Sequence, residues 1–317
     1  MSPCEPIDYP HGIHAIDAEY LRPGLAAIHL LVHAGHAAII DTGTNQSVPA
    51  VMAALARLGV AAEAVDYVIV THVHLDHAGA AGALLAACPH AVLVVHPKGA
   101  RHMIDPTKLV QGSIAVYGAS AFRELYGEIV PVPAERVIEA EDGHQIDFHG
   151  RLLDFIDTPG HARHHFCIHD AGSNSIFTGD TFGISYREFD VNGRPFIFPT
   201  TTPVQFEPDA LHASIDRLMA RRPTAAYLTH YGRVTGLDGL ASDLHEQIDL
   251  LAALARAAPG QGEAGQAWLR DKIEDMLLIR LRRHGCVLDD ARVRELLAND
   301  VELNAQGLLV WRDRGGA

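Results

Sequence analysis

Short apolar runs separated by glycine dominate the first part of the chain. Residues 12–17, 25–33 and 36–41 are alternating or β-branched, which predicts an antiparallel meander. Asp41-Thr42-Gly43 then turns the chain into a helical stretch over 47–59, with Val51, Ala54, Leu55 and Leu58 at helical spacing. Tyr67-Val68-Ile69-Val70 reads as a buried strand that delivers the chain to Thr71. A helix is predicted from Ala78 to Ala87 and a strand from Ala91 to Val95. The stretch 98–136 shows only short helical patterns among turn residues. Strand-like segments return at 144–149, 151–157, 165–169 and 175–178, followed by a helix over 207–221 and a strand over 225–229. Strands, then βα, then strands, then βα again predict an α/β protein with two similar halves.

From about residue 237 the pattern becomes helical. Leu240, Leu244, Ile248, Leu251 and Leu254 keep a helical period up to Pro259-Gly260. A second helix over 263–284 carries Trp268, Ile273, Leu277, Leu278 and Leu281, and a third covers 289–299. The expected organisation is a catalytic domain over 1–236, with 98–136 inserted near its site, and a helical extension over 237–317. The apolar stripes of the extension predict packing onto the main domain; a sharper reading has them also wall a substrate pocket. No internal repeat or low-complexity linker is present.

Composition narrows the field. The chain has 317 residues, 48% hydrophobic and 20% charged, which suits a buried core and excludes wholesale disorder. Its net charge of −14 argues against binding a phosphate backbone, so no nucleic-acid partner is expected. Apolar runs are too short for a membrane span, and Met1 to Pro6 shows no secretory signal. Cys4, Cys88, Cys167 and Cys286 are scattered, predicting free thiols in a reducing compartment and a cytoplasmic protein. One count stands apart: 21 His against 25 Lys+Arg. Histidine is the commonest metal ligand and titrates near neutrality.

Four clusters give part of that count a chemical meaning. In Thr71-His72-Val73-His74-Leu75-Asp76-His77, His72 and His74 share a direction if the chain is extended, and Asp76 and His77 follow at the turn into a helix. Three imidazoles and a carboxylate form a borderline-hard set suited to zinc, iron or manganese. Thr158-Pro159-Gly160-His161 follows an apolar strand, as do Phe177-Thr178-Gly179-Asp180-Thr181 and Leu228-Thr229-His230-Tyr231-Gly232. Strand ends carrying His and Asp are where open α/β sheets build sites. His165 alternates to the face of Cys167 and His169, open between a supporting and a solvent-facing role. The segment Tyr186-Arg187, Phe196 to Pro199 and Thr200-Thr201-Thr202 either lines a pocket or packs on the tail. The other histidines show no paired ligand spacing and read as ordinary surface or core residues.

The run from Thr71 to His77, with His161, Asp180 and His230 in that order, resembles the HxHxDH signature of the metallo-β-lactamase superfamily. Ile39 to Gly43 resembles the Asp-Thr-Gly turn that precedes it. The resemblance covers about 12–235 and implies an αββα four-layer sandwich with metals at one edge. It implies two divalent ions, zinc foremost with iron or manganese as alternatives. His72, His74 and His161 would hold one, Asp76, His77 and His230 the other, and Asp180 would bridge them. It also makes Asp41 the candidate to orient the imidazoles. A bridging water made acidic by two cations would supply hydroxide for an ester, thioester or lactone, and Asp76 would shuttle a proton to the leaving group. The long interval between His77 and His161 and the helical tail are similar to glyoxalase II-like hydrolases and to the quinolone-signal response type with thioesterase activity. Its departure is the bulky run His161-Ala162-Arg163-His164-His165. The alternatives are an iron oxidoreductase of the same fold, of the persulfide dioxygenase type, and a signalling protein with secondary thioesterase activity. A small-molecule substrate is expected, no membrane partner, and a homodimer stays open.

Overall fold

Two sheets with a shared apolar interior form the first of two units in the computed structural model, which describes residues 5–201 and 203–315. Cys4 and Thr202 lie outside the described residues. The first unit comprises 5–157, 164–179 and 223–235; the second comprises 158–163, 180–222 and 236–315.

In the first unit, one sheet runs β1 (Ile7–Tyr9), β2 (Ile13–Asp17), β3 (Ala27–His33), β4 (His36–Ile40), β5 (Val65–Ile69), β6 (Val92–Val95) and β7 (Val137–Glu139), in that spatial order. It is antiparallel through β4 and parallel from β4 to β7. The other sheet contains β8 (Gln145–Phe148), β9 (Arg151–Asp157), β10 (Phe166–Asp170), β11 (Ser175–Gly179), β12 (Ala225–Leu228) and β13 (Gly232–Val234). It too begins antiparallel and has a parallel pair, β11 with β12, before β13 closes it antiparallel. This repeated logic is what the two βα passages in the sequence foretold. Leu31, Ile40, Ile69 and Val94 from one sheet meet Phe148, Phe155, Phe166, Phe177 and Tyr227 from the other. Strand alternation sends these side chains inward, and their burial supplies the main driving force for the fold.

Helices α1 (Val48–Arg57), α2 (Leu75–Ala78), α3 (Ala81–Ala87), α4 (Pro97–Ile104), α5 (Thr107–Tyr117) and α6 (Ala119–Tyr126) complete this unit. The irregular stretch expected after residue 98 is therefore largely helical. Its helices are short and turn few residues inward, Gly99, Ala100 and Met103 in α4. None of α5's described side chains is buried, and α6 buries only Phe122 and Tyr126. Polar anchors hold α6: the Tyr126 hydroxyl lies 2.7 Å from that of Tyr20, and the Asn45 amide donates to the Tyr126 carbonyl.

The second unit contains α7 (Pro208–Ala220), α8 (Leu237–Ala257), α9 (Gly262–His284) and α10 (Asp290–Asp313). The last helix continues well beyond the expected 299. Its inward stripe carries Asp300 and Asn304, which broke the apolar pattern in the sequence. Both are buried because they have partners. The Tyr186 hydroxyl donates to Asp300 at 3.0 Å, and the Thr201 N–H donates to Asn304 Oδ1 at 2.6 Å. With Gln247 of α8 donating to the Ile197 carbonyl, these bonds tie the 184–201 segment to the tail helices. Packing on the tail is thus the observed role of that segment. Among the described residues no helix is long and apolar enough to cross a membrane.

His29 of β3 is 1% exposed, against the rings of Phe177 and Tyr227. Burial pushes its imidazole down to about 4, with the Asp41 carboxylate pulling the other way. The unfolded chain takes up the proton near pH 6.5, the folded chain only near 4. Stability is therefore full above pH 6.5 and falls as the pH drops towards 4, by up to about 3 kcal/mol from this group. Replacing the imidazole in His29→Phe is expected to shrink the difference between urea midpoints at pH 7.5 and pH 5. An unchanged difference would show that other groups set the acid sensitivity.

Candidate metal centre

The two parallel strands β4 and β5 end side by side, and the residues just beyond their ends build the larger part of the site. Asp41 continues the pairing, its N–H donating to the Ile69 carbonyl at 2.8 Å, and then leaves the sheet at φ 54°. That left-handed position turns its carboxylate back onto the end of β5. The carboxylate is 1% exposed and accepts four groups. They are the Thr71 N–H at 2.8 Å, the Thr71 hydroxyl at 3.0 Å, the Thr229 hydroxyl at 2.6 Å and His77 Nδ1 at 2.8 Å.

This network orients two histidines. A carboxylate only accepts, so His77 carries its proton on Nδ1 and presents Nε2 as the lone pair. The Thr71 hydroxyl is committed to Asp41, so at 3.2 Å His72 Nδ1 donates to Thr71 Oγ1 and its Nε2 faces outward. That Nε2 meets His74 Nδ1 at 2.8 Å. His230 is set in the same way from another strand end, its Nδ1 donating to the Leu25 carbonyl at 2.8 Å. His77 Nε2 and His230 Nε2 then face Asp76 Oδ2 at 3.6 and 3.4 Å. The three ligand atoms of Asp76, His77 and His230 lie within 4.8 Å of one another.

Two converging nitrogen lone pairs and a carboxylate repel one another unless a cation or protons lie between them. Protonating both rings would place two imidazoliums with centroids 5.3 Å apart in a site where His77 is 0% and His230 5% exposed. The donor set therefore fits a divalent metal, with second partners fixing each ring. Further histidines surround it. His165 packs its ring 4.9 Å from that of His72, and Gly179 at φ 47° leaves room for it. A Cβ on Gly179 would come within 2.5 Å of His165 Nε2 and 2.6 Å of Thr71 Oγ1. His165 thus takes a supporting position rather than a solvent-facing one. His164 lies beside His74, and burial, helped by His74 and His102, pushes it down to about 3.

In the second unit, His161 and Asp180 come together, His161 Nε2 lying 3.5 Å from Asp180 Oδ2. The Thr200 carbonyl sits 3.5 Å from His161 Nδ1, so this imidazole too turns Nε2 towards a carboxylate. Pro159-Gly160 delivers His161 by a close approach: at φ 129°, a Cβ on Gly160 would lie 2.4 Å from the Leu211 backbone. The Gly160 carbonyl in turn accepts the Glu207 N–H just before α7.

The structure thus gathers His72, His74, Asp76, His77 and His230 in one unit and His161 with Asp180 in the other. Asp41 takes the orienting place expected of it. Sequence reasoning missed the roles of Thr71, Thr229 and the Leu25 carbonyl. The two threonines stand next to ligands in the motifs and were readable as partners; a backbone carbonyl leaves no trace in a sequence.

Several known proteins resemble this chain. A family model described as the metallo-beta-lactamase superfamily matches residues 21–230. A metallo-beta-lactamase fold-containing protein of Sulfurisphaera tokodaii is 28% identical over 234 residues, covering 71% of this chain and 80% of that one. A hydroxyacylglutathione hydrolase of Aeromonas hydrophila is 30% identical over 195 residues, covering 61% of this chain and 56% of its own length. The crystal structure of a metallo-beta-lactamase family protein from Thermus thermophilus superposes with a TM-score of 0.66 at 20% identity, covering 96% of this chain and 94% of that one. The archaeal protein's crystal structure gives 0.64 at 24% identity, covering 95% and 99%. These likenesses establish the two-sheet α/β fold of the superfamily.

Asp41→Asn keeps the shape but sets an amide N–H₂ against donors. The variant is expected to fold, by circular dichroism, and to bind Zn²⁺ about 10–100-fold more weakly. Wild-type affinity in a folded Asp41→Asn protein would refute its orienting role.

Proposed function

Because the chain belongs to the metallo-beta-lactamase superfamily, we propose that it is a binuclear metal-dependent hydrolase of an ester, thioester or lactone. The observation that carries this is the pair His77 and His230, each giving Nδ1–H to a fixed acceptor and turning Nε2 onto Asp76. Asp76, His77 and His230 are proposed to hold one ion, His72, His74 and His161 the other, with Asp180 shared between them. When bound, the ions supply a water acidified from about 15.7 towards about 7 and a Lewis acid for a carbonyl oxygen. The family model and the relative named as a hydroxyacylglutathione hydrolase support hydrolysis as the reaction class.

The protein's own groups divide the remaining work. Asp41 fixes the tautomer of His77 directly and that of His72 through Thr71, so the lone pairs need no reorganisation when ligands are exchanged. Asp76 has a side chain 21% exposed, whereas those of His77 and His161 are 0% exposed and that of Asp180 6%. A carboxylate with that access can accept a proton and pass it to the leaving group. No serine or cysteine nucleophile is required: Cys88, Cys167 and Cys286 are buried, and burial raises the Cys88 thiol above its ordinary range, against nucleophilic use.

A panel of thioesters, esters and lactones, with oxygen uptake followed in parallel, tests this reading. Protein dialysed to constant content is expected to retain two metal equivalents per chain and to turn over at least one carbonyl substrate. Chelation should abolish turnover and metal should restore it. His72→Ala and Asp180→Asn should each lower the rate by more than the ~10–100-fold typical of outer-shell changes. Oxygen consumption without hydrolysis, or full activity in Asp180→Asn, would overturn it.

A further inference from the structure

We propose that His36, Asp66 and His149 form a second, partly exposed site for a divalent transition-metal ion, at the far end of β4 and β5 from Asp41. His36 opens β4, and five residues later the same strand delivers Asp41. Asp66 lies near the start of β5, before the Thr71–His77 run. At ~3.3 Å per residue, this end of the strands is roughly 16 Å from the Asp41 cluster.

Two local irregularities aim the side chains. In the β4–β5 pairing, Ala37 is opposite Val65 and Ala38 opposite Tyr67, so Asp66 is the extra residue of a β-bulge. Bulges redirect a side chain that regular pleating would send elsewhere. The other sheet contributes His149, from the two-residue turn between Phe148 and Arg151, where His149 and Gly150 both have positive φ (54° and 88°). The ligands therefore come from three separate elements and from both sheets.

The geometry is close to that of a coordinated ion. His149 Nε2 lies 2.6 Å from Asp66 Oδ2, and His36 Nδ1 lies 3.1 Å from the same oxygen. The imidazoles stack with centroids 3.9 Å apart at 27°, and the three ligand atoms all lie within 4.8 Å of one another. Tetrahedral ligands at about 2.0–2.1 Å from zinc stand roughly 3.3 Å apart, so small side-chain rotations would accommodate an ion. Two imidazoles and one carboxylate select borderline divalent ions such as Zn²⁺, Ni²⁺ or Cu²⁺ over Mg²⁺ or Ca²⁺. With side chains 36%, 26% and 38% exposed, the remaining positions are open to water or an exogenous ligand. His33 pairs with His36 across the Ala34-Gly35 turn and supplies another imidazole at this strand end.

Zn²⁺ titration of protein already dialysed to constant metal content, by calorimetry with elemental analysis, tests the site. Wild type is expected to take up one further equivalent. His149→Asn removes the imidazole at a positive-φ position that asparagine accepts, and should abolish that equivalent or weaken it at least about tenfold, with circular dichroism and hydrolysis unchanged. His36→Gln should act likewise. Comparing wild type with variant cancels metal taken by the centre near Asp41, so the outcome does not depend on the proposed hydrolase activity. Superimposable isotherms for wild type and both histidine variants would show hydrogen-bonded imidazoles only and refute the site.

Discussion

A single buried carboxylate sets the chemistry of the centre. Asp41 stands where β4 ends, and four donors from two other stretches of chain, the Thr71–His77 run and Thr229, converge on it. A buried anion is tolerable only when its lone pairs are filled, so the carboxylate forces Thr71, Thr229 and His77 into fixed positions. Those positions decide tautomers. His77 must offer Nε2, and His72, through Thr71, must do the same. Metal ligation needs this property, and the hydrogen bonds of Asp41 supply it. The neighbouring glycine has the same logic, because a side chain at Gly179 would occupy the space of Thr71 and His165.

The second unit uses polar residues differently. Asp300 and Asn304 lie on the inward face of α10 and are held by Tyr186 and Thr201. Leucines at these two positions would have made the helix readable in the sequence to its end. The polar pair instead gives the 184–201 segment specific partners, so the segment is anchored by directional bonds as well as by the rings of Tyr186, Phe196 and Phe198. His161 depends on the same region, since its Nδ1 faces the Thr200 carbonyl.

Histidine, conspicuous by number, has no single role here. Five sit at the strand ends that carry the motifs. His29 and His164 are buried and held neutral by desolvation. Others pair near the surface: His36 stacks on His149, and His212 and His245 bring their Nδ1 atoms within 2.6 Å. None of these surface pairs has ligand-like spacing in sequence, because each joins separate elements. His36 and His149 meet only because a bulge and a turn bring them together.

The sequence alone determined the α/β class, most of the strands though not β1, β7 and β13, the helical tail and the residues that carry the motif resembling a metal-binding one. These come from local properties: a period of two or 3.6, a glycine at a turn, and histidines two residues apart at a strand end. The three helices after residue 96 and the full length of α10 were not legible, because the former are short with few inward positions and Asp300 and Asn304 interrupt the otherwise apolar inward face of α10. Tertiary structure alone decided which nitrogen of His72, His77 and His230 is hydrogen-bonded and which faces the candidate centre. For His230 that choice rests on the carbonyl of Leu25, 205 residues away. Every residue has such a carbonyl, so only the folded chain says which one is there.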